Sequence, residues 1–199
     1  MGGARPALAQ SAHDGVYVSV SAFVDIKRFS GDPATNVLDG QAFGGGIALG
    51  TSLAPRWDLE LGVDVPAVTT DLHPRSVTLR RSIFTLQSRT RNRPSSVTAL
   101  IRFRGAQRGR VQIGYFGGLS LLRLHRQFDT EAPAGTPAAL IPRPHESVDY
   151  GTAPAIGVDA RVDVNAHLSI VPALYLSAFS LQDVSGVLVR PRVAIRWTF

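Results

Sequence analysis

Cysteine is absent from the 199 residues of this chain. Disulfides, thiolate-held zinc and thiol catalysis are therefore excluded. No run of 18 apolar residues occurs, so the sequence contains no transmembrane helix. That absence leaves spanning strands open, because such a strand needs only about ten residues of alternating character. Helix signals are also scarce. The 19 glycines and 13 prolines are spread too evenly for long helices. Acidic residues are in the minority, 15 against 21 Lys+Arg, and the basic residues are nearly all arginine, giving a formal charge of +6. No zinc finger, helix-turn-helix pattern or aromatic RNA-binding motif accompanies that excess, so no nucleic-acid partner is expected. Hydrophobic residues make up 44% and mean hydropathy is +0.08, which excludes a disordered chain. The length suits one domain with a sizeable core.

What is present is a period of two. In the last segment Val187, Val189, Pro191, Val193, Ile195, Trp197 and Phe199 take every second position. Leu188, Arg190, Arg192, Ala194, Arg196 and Thr198 alternate with them. The two sets lie on opposite faces of one strand, one greasy and one arginine-rich. Seven further segments repeat the pattern: 16–26, 42–51, 57–65, roughly 96–103, 111–121, one ending at 162, and 168–179. The connections between them are 27–41, 52–56, 66–95, 104–110, 122–149, 164–167 and 180–186. Short turns therefore fall on one edge and longer loops on the other, as in barrels of the outer membrane. Eight is an even number of strands that closes. The expected fold is all-β: an eight-stranded, antiparallel, up-and-down transmembrane barrel over 14–199.

Charge follows the same register. Asp58, Glu60, Asp64, Arg102, Asp159, Arg161, Asp163, Arg190, Arg192 and Arg196 all oppose the apolar stripe. Facing inward, both signs can pair away from bulk water. A gated polar path and a salt-bridge plug are both open readings; the interior of an eight-stranded barrel favours the plug, being just wide enough for its own side chains. Trp57, Phe103, Trp197 and Phe199 cluster on the lipid-facing register at the short-turn edge, the place of an interfacial aromatic girdle.

Residues 14–199 thus resemble the eight-stranded outer-membrane β-barrel superfamily, the OmpA/OmpX-like group. Val193-Ala194-Ile195-Arg196-Trp197-Thr198-Phe199 is its most specific part, similar to that group's C-terminal assembly signal. The resemblance implies an outer-membrane address and a partner in the barrel-insertion machinery. It names no individual function.

Residues 1–13 read as a disordered leader or the end of a signal peptide. Ala7-Leu8-Ala9 has the small-x-small shape of a signal-peptidase site ahead of Gln10. The segment 66–95 holds Arg75, Arg80, Arg81, Arg89, Arg91 and Arg93 with His73 against one acid, Asp71. At a cell surface these arginines would meet lipopolysaccharide phosphates, which guanidinium binds bidentately. The plainer reading is a solvated hairpin that continues the barrel wall. His167-Leu168-Ser169 places a base two residues from a hydroxyl, an arrangement similar to lipid A deacylase barrels. The Asn that follows Ser in that group is Ile170 here, and the triplet lies at the short-turn edge. Catalytic residues are therefore not expected. His125 and His145 in 122–149 lack metal-ligand spacing, and prolines 133, 137, 142 and 144 read as a loop. Gly44-Gly45-Gly46 has no following helix or Lys and is no phosphate loop. No metal or cofactor is expected. The role expected is structural or surface-interactive, in contact with outer-membrane lipid. A lipid A modifying enzyme and a soluble ligand-binding barrel with inverted faces are the alternatives.

Overall fold

The computed structural model describes residues 15–30, 40–79, 82–181 and 184–199. The leader with Ala7-Leu8-Ala9, and Arg80 and Arg81, lie outside the described residues. The strands are β1 (Val16–Ser30), β2 (Gly40–Ala54), β3 (Trp57–Pro66), β4 (Thr69–Leu79), β5 (Ser82–Arg108), β6 (Val111–Glu131), β7 (His145–Asp163), β8 (Leu168–Leu181) and β9 (Val184–Thr198). All pairings are antiparallel. The order β3-β2-β1-β9-β8-β7-β6-β5 closes through the β3–β5 pairing into a ring of eight. β4 stands outside the ring and pairs only with β5.

The ring is inside out by the standard of a water-soluble protein. Ile195, Val193 and Leu61 are more than half exposed, whereas Arg192 is buried at 7%. The same alternation runs round the wall. Val18, Ile47, Val63, Ile101, Leu119, Ile156 and Leu174 face out, while Ser19, Asp64, Thr98, Arg102, Ser120, Asp159 and Tyr175 face in. A continuous apolar exterior of this extent has no stable place in water, but it matches hydrocarbon. The faces are not inverted, which removes the soluble ligand-binding barrel.

Local chemistry explains the short ends. Gly109 takes φ 63 in the β5–β6 turn, a left-handed conformation that a side chain resists. Asn165 Oδ1 accepts from the backbone N–H of His167 at 2.9 Å and of Leu168 at 2.8 Å, closing the β7–β8 turn. Glycines on the inner face make room for large neighbours. A Cβ at Gly50 would strike the Tyr17 ring, at Gly44 the Phe23 ring, at Gly157 the Phe116 ring and at Gly46 the Asp64 carboxylate.

At the other end the strands outrun their apolar stretches. β5 has 27 residues. At about 3.3 Å each it is roughly 90 Å long, about twice what crossing a 30 Å hydrocarbon layer at a 45° tilt requires. The long connection 66–95 is the hairpin of the plainer reading, with Thr69–Leu79 paired to Ser82–Asn92. The expected loop 122–149 shrinks to 132–144, which carries the four prolines and a single 3₁₀ turn at Ala138–Leu140. β5 changes partner between Ser96, paired to Asp64 of β3, and Asn92, paired to Thr69 of β4. Pro66 ends β3 and Pro94 sits in the intervening step of β5, so neither leaves a backbone donor unpaired at this seam.

Candidate functional site

Two constellations stand out: a charged cluster in the barrel lumen, and a polar outward face on the long strands above the apolar belt.

The charged side chains of the lumen cluster come from β1, β3, β5, β7 and β9, of which β1 and β9, and β3 and β5, are neighbours in the ring. Glu60 on β3 accepts from Tyr17 Oη of β1 at 2.9 Å, Arg102 Nη2 of β5 at 3.0 Å and Arg196 Nη2 of β9 at 3.3 Å. Arg102 also pairs with Asp159 of β7. One carboxylate and one guanidinium therefore tie five strands together. A second group lies above it. Arg190 Nε donates to Asp25 Oδ1 at 2.5 Å and Arg190 Nη1 to Asp64 Oδ2 at 2.6 Å. Arg192 stands 3.5 Å from Asp64 and donates to Tyr175 Oη at 3.3 Å. Below, Arg104 pairs with Asp58, and Arg161 Nε donates to Asp163 at 2.7 Å.

The guanidiniums also lie over inward rings. Arg196 sits 4.0 Å from the Tyr17 centroid, Arg190 4.2 Å from Phe23, Arg102 5.2 Å from Phe116 and Arg192 5.5 Å from Tyr175. Each planar cation thus meets a carboxylate at its edge and, in these four, a ring near its face, which is how a desolvated guanidinium is best satisfied. Asp58, Glu60, Asp64, Arg102, Asp159, Arg161, Arg190, Arg192 and Arg196 are buried, and Asp163 is half-buried.

Sequence reasoning missed Tyr17, Phe23, Asp25, Arg104 and Tyr175 as members of this cluster. The signal was available. Tyr17, Phe23 and Asp25 occupy the odd positions of β1, opposite the Val16–Ile26 stripe. Arg104 continues the register of Arg102, but it falls within the turn expected over 104–110.

The aromatic set lies where the short turns are. Trp57 and Phe103 face each other with centroids 5.0 Å apart. Trp57 and Trp197 are each 46% exposed, and Phe199 is exposed too. His167 stacks on Trp197 at 5.7 Å and 18°, and its Nδ1 lies 3.0 Å from the Thr198 carbonyl oxygen. Ser169, buried on the inner face, donates to Asp163 Oδ1 at 2.8 Å and accepts from Arg161 Nε at 3.1 Å. The histidine and the serine therefore have separate partners, and no nucleophile–base pair forms between them.

The second constellation is on the outward face. Arg89, Arg91 and Arg93 alternate along β5 with the inward Ser88, Thr90 and Asn92. Arg89 pairs with Glu131 at 3.2 Å. Arg91 and Arg93 are exposed, and among the described residues they hold no salt bridge. Their cross-strand neighbours on β6 are Gln127 and His125. On β7, Glu146 accepts from Gln127 Nε2 at 2.7 Å and stands 3.1 Å from His125 Nε2. Those two bonds, Gln127's first, hold the Glu146 carboxyl below its usual range. Arg89, Arg91, Gln127, Phe128, Asp129, Pro144, His145 and Glu146 border a cavity of about 410 Å³. Arg75 lies on β4. Among the described residues no group of three or more His or carboxylates could hold a metal ion.

No protein-family model matches the chain, and no curated protein matches it. Solved structures do. Neisserial surface protein A superposes with a TM-score of 0.57 at 14% identity, covering 93% of this chain and 97% of that one. A major outer membrane protein of Thermus thermophilus gives 0.54 at 14% identity, over 92% and 99%. Ail, the attachment invasion locus protein of Yersinia pestis, solved with the heparin analogue sucrose octasulfate, gives 0.53 at 13% identity, over 92% and 99%.

Proposed function

With the fold of the eight-stranded outer-membrane barrels as the premise, we propose that this chain is an integral outer-membrane protein whose role is structural and surface-interactive, its long strands presenting an anion-binding face to lipopolysaccharide. The observation that carries this reading is the outward face of β5. From the short-turn end it runs Phe103, Ile101, Ala99 and Val97, then Ser95, then Arg93, Arg91 and Arg89. One face of one strand therefore passes from hydrocarbon-compatible to cationic. Four residues separate Val97 from Arg93, which at a 45° tilt is about 9 Å of height, enough to carry the strand from the hydrocarbon edge through a headgroup layer. Phosphates of lipid A occupy that depth, and arginine is the side chain that binds them bidentately. Ail's crystallisation with a polysulfated ligand supports the polyanion chemistry for a barrel of this shape.

The lumen cluster acts as a plug that fixes strand register, and the terminal strand ending at Phe199 is the signal for the barrel-insertion machinery. Short turns and the Trp57–Phe103 and Trp197–Phe199 girdle are periplasmic. A non-enzymatic role is supported by the separate partners of His167 and Ser169.

Two measurements test this. The expressed chain is expected to sediment with outer membranes and to show heat-modifiable gel mobility; a product soluble without detergent overturns the reading. The Arg91→Ala/Arg93→Ala barrel is expected to bind lipopolysaccharide about tenfold more weakly at low salt, two exposed charge contacts at up to about 1 kcal/mol each. The difference is expected to shrink as salt rises. Equal affinity at low salt removes these arginines from the site.

A further inference from the structure

Most of the lumen is charged, but its upper end is not. Leu124 of β6, Ala153 of β7, Phe179 of β8 and Leu188 of β9 form an inward apolar cluster above Arg190, with Leu122 packed against it. This cluster does not close on itself. It borders a half-open cavity of about 60 Å³, walled by Leu122, Leu124, Phe179, Leu188, Pro66 and Pro94. Asp25, Lys27 and Arg190 line its floor, and Ser95, Ser96 and the exposed Arg123 its rim. Apolar walls with a few convergent polar groups are the usual make-up of a small-molecule site.

The charges at that floor do not balance. Asp25 is already bound by Arg190 through Nε at 2.5 Å and Nη2 at 3.2 Å. Asp64 is shared between Arg190 and Arg192. Lys27 reaches Asp25 only at 3.9 Å. Three cations, Lys27, Arg190 and Arg192, therefore face two carboxylates, Asp25 and Asp64. Of these three, Lys27 is the one with donors to spare: its ammonium has three, and among the described residues it makes one loose contact. It is also the only lysine of the chain.

We infer that this cavity binds a small amphiphilic anion, its apolar body between Leu122, Leu124, Phe179 and Leu188 and its carboxylate on Lys27. The walls favour an aliphatic or aromatic body of few carbons, and the surplus charge selects an acid over an alcohol of the same shape. This site lies inside the barrel and is independent of the outward arginines, so its failure leaves the lipopolysaccharide reading standing.

The unique lysine makes the test direct. The barrel is reconstituted in lipid nanodiscs with Lys27 dimethylated using ¹³C-formaldehyde, which keeps the positive charge. Its methyl resonance, distinct from that of the amino terminus, is followed against hexanoate, hexanol and acetate. The expected result is a saturable shift with hexanoate, at least tenfold weaker apparent affinity for hexanol, and none for acetate at the same concentrations. Leu124→Trp and Leu188→Phe, each filling the cavity from a different strand, are expected to abolish the hexanoate response while the resonance and heat-modifiable mobility persist. No saturable shift overturns the inference, as does a response that acetate reproduces, that hexanol matches, or that survives in a variant retaining that mobility.

Discussion

Arg190→Leu is expected to lower the unfolding free energy of the barrel by about 3–5 kcal/mol, the cost of stranding buried charge. Arg190 is the common partner of Asp25 and Asp64, which are 1% and 2% exposed. With the guanidinium gone, among the described residues Asp25 keeps only Lys27 at 3.9 Å and Asp64 only Arg192 at 3.5 Å. Neither replaces a bond of 2.5–2.6 Å, and neither carboxylate can reach bulk water. The loss is a property of the broken set, not of the network as such. Asp25→Asn/Asp64→Asn/Arg190→Leu removes all three charges together and is expected to recover most of the stability, because a neutral packed interior competes well with a buried ion network. Arg190→Lys should fall between, since an ammonium cannot form the planar fork to Asp25 while lying over the Phe23 ring. The measurement is the urea dependence of the heat-modifiable gel band for the three variants in one lipid. A loss under about 1 kcal/mol for Arg190→Leu would mean that water enters the lumen and the cluster is not a dry plug.

The same residues show how far a sequence can be read. Alternation in β9 placed Arg190, Arg192 and Arg196 on one face because the other face was wholly apolar. Wherever lipid demands an apolar exterior, period two is visible, and the eight spanning segments followed from it. Above the lipid that demand stops. On β5 Arg89, Arg91 and Arg93 face out and Ser88, Thr90 and Asn92 face in, so both faces are polar and the period disappears although the backbone ladder continues. This is why 122–149 reads as a loop and proves to be mostly strand, and why 66–95 reads as a long connection whose plainer reading, a hairpin continuing the wall, is the one that appears. Backbone hydrogen bonding carries no side-chain signature. Pairing across the lumen was equally hidden. Glu60 and Arg196 are 136 residues apart, and only closure of the ring brings them to 3.3 Å. The sequence could assign each to the inner face but not to the other.

The second large effect concerns the outer face. Leu61→Arg is expected to cost about 2–4 kcal/mol in a bilayer, whereas Val65→Arg on the same strand and face should cost about 0–1 kcal/mol. Leu61 stands midway along the outward row Trp57, Leu59, Leu61, Val63 and Val65, and Leu61 and Val65 are 53% and 56% exposed. Their packing environments are therefore alike. What differs is depth, since four residues along a strand tilted by about 45° displace Val65 by roughly 9 Å toward the headgroups. There a long arginine can carry its guanidinium to the interface along its aliphatic stem. In water the same two exposed substitutions would each lie within about 0.5 kcal/mol of the parent. The gradient, more than either value, tests which solvent this face meets. It can be read from equilibrium unfolding in vesicles of a single phosphatidylcholine, repeated in a lipid with shorter chains. Thinning the hydrocarbon should reduce the Leu61→Arg penalty more than the Val65→Arg penalty, because the midplane residue has the longer path to water. Equal costs at both positions, or none at either, would place water against this surface.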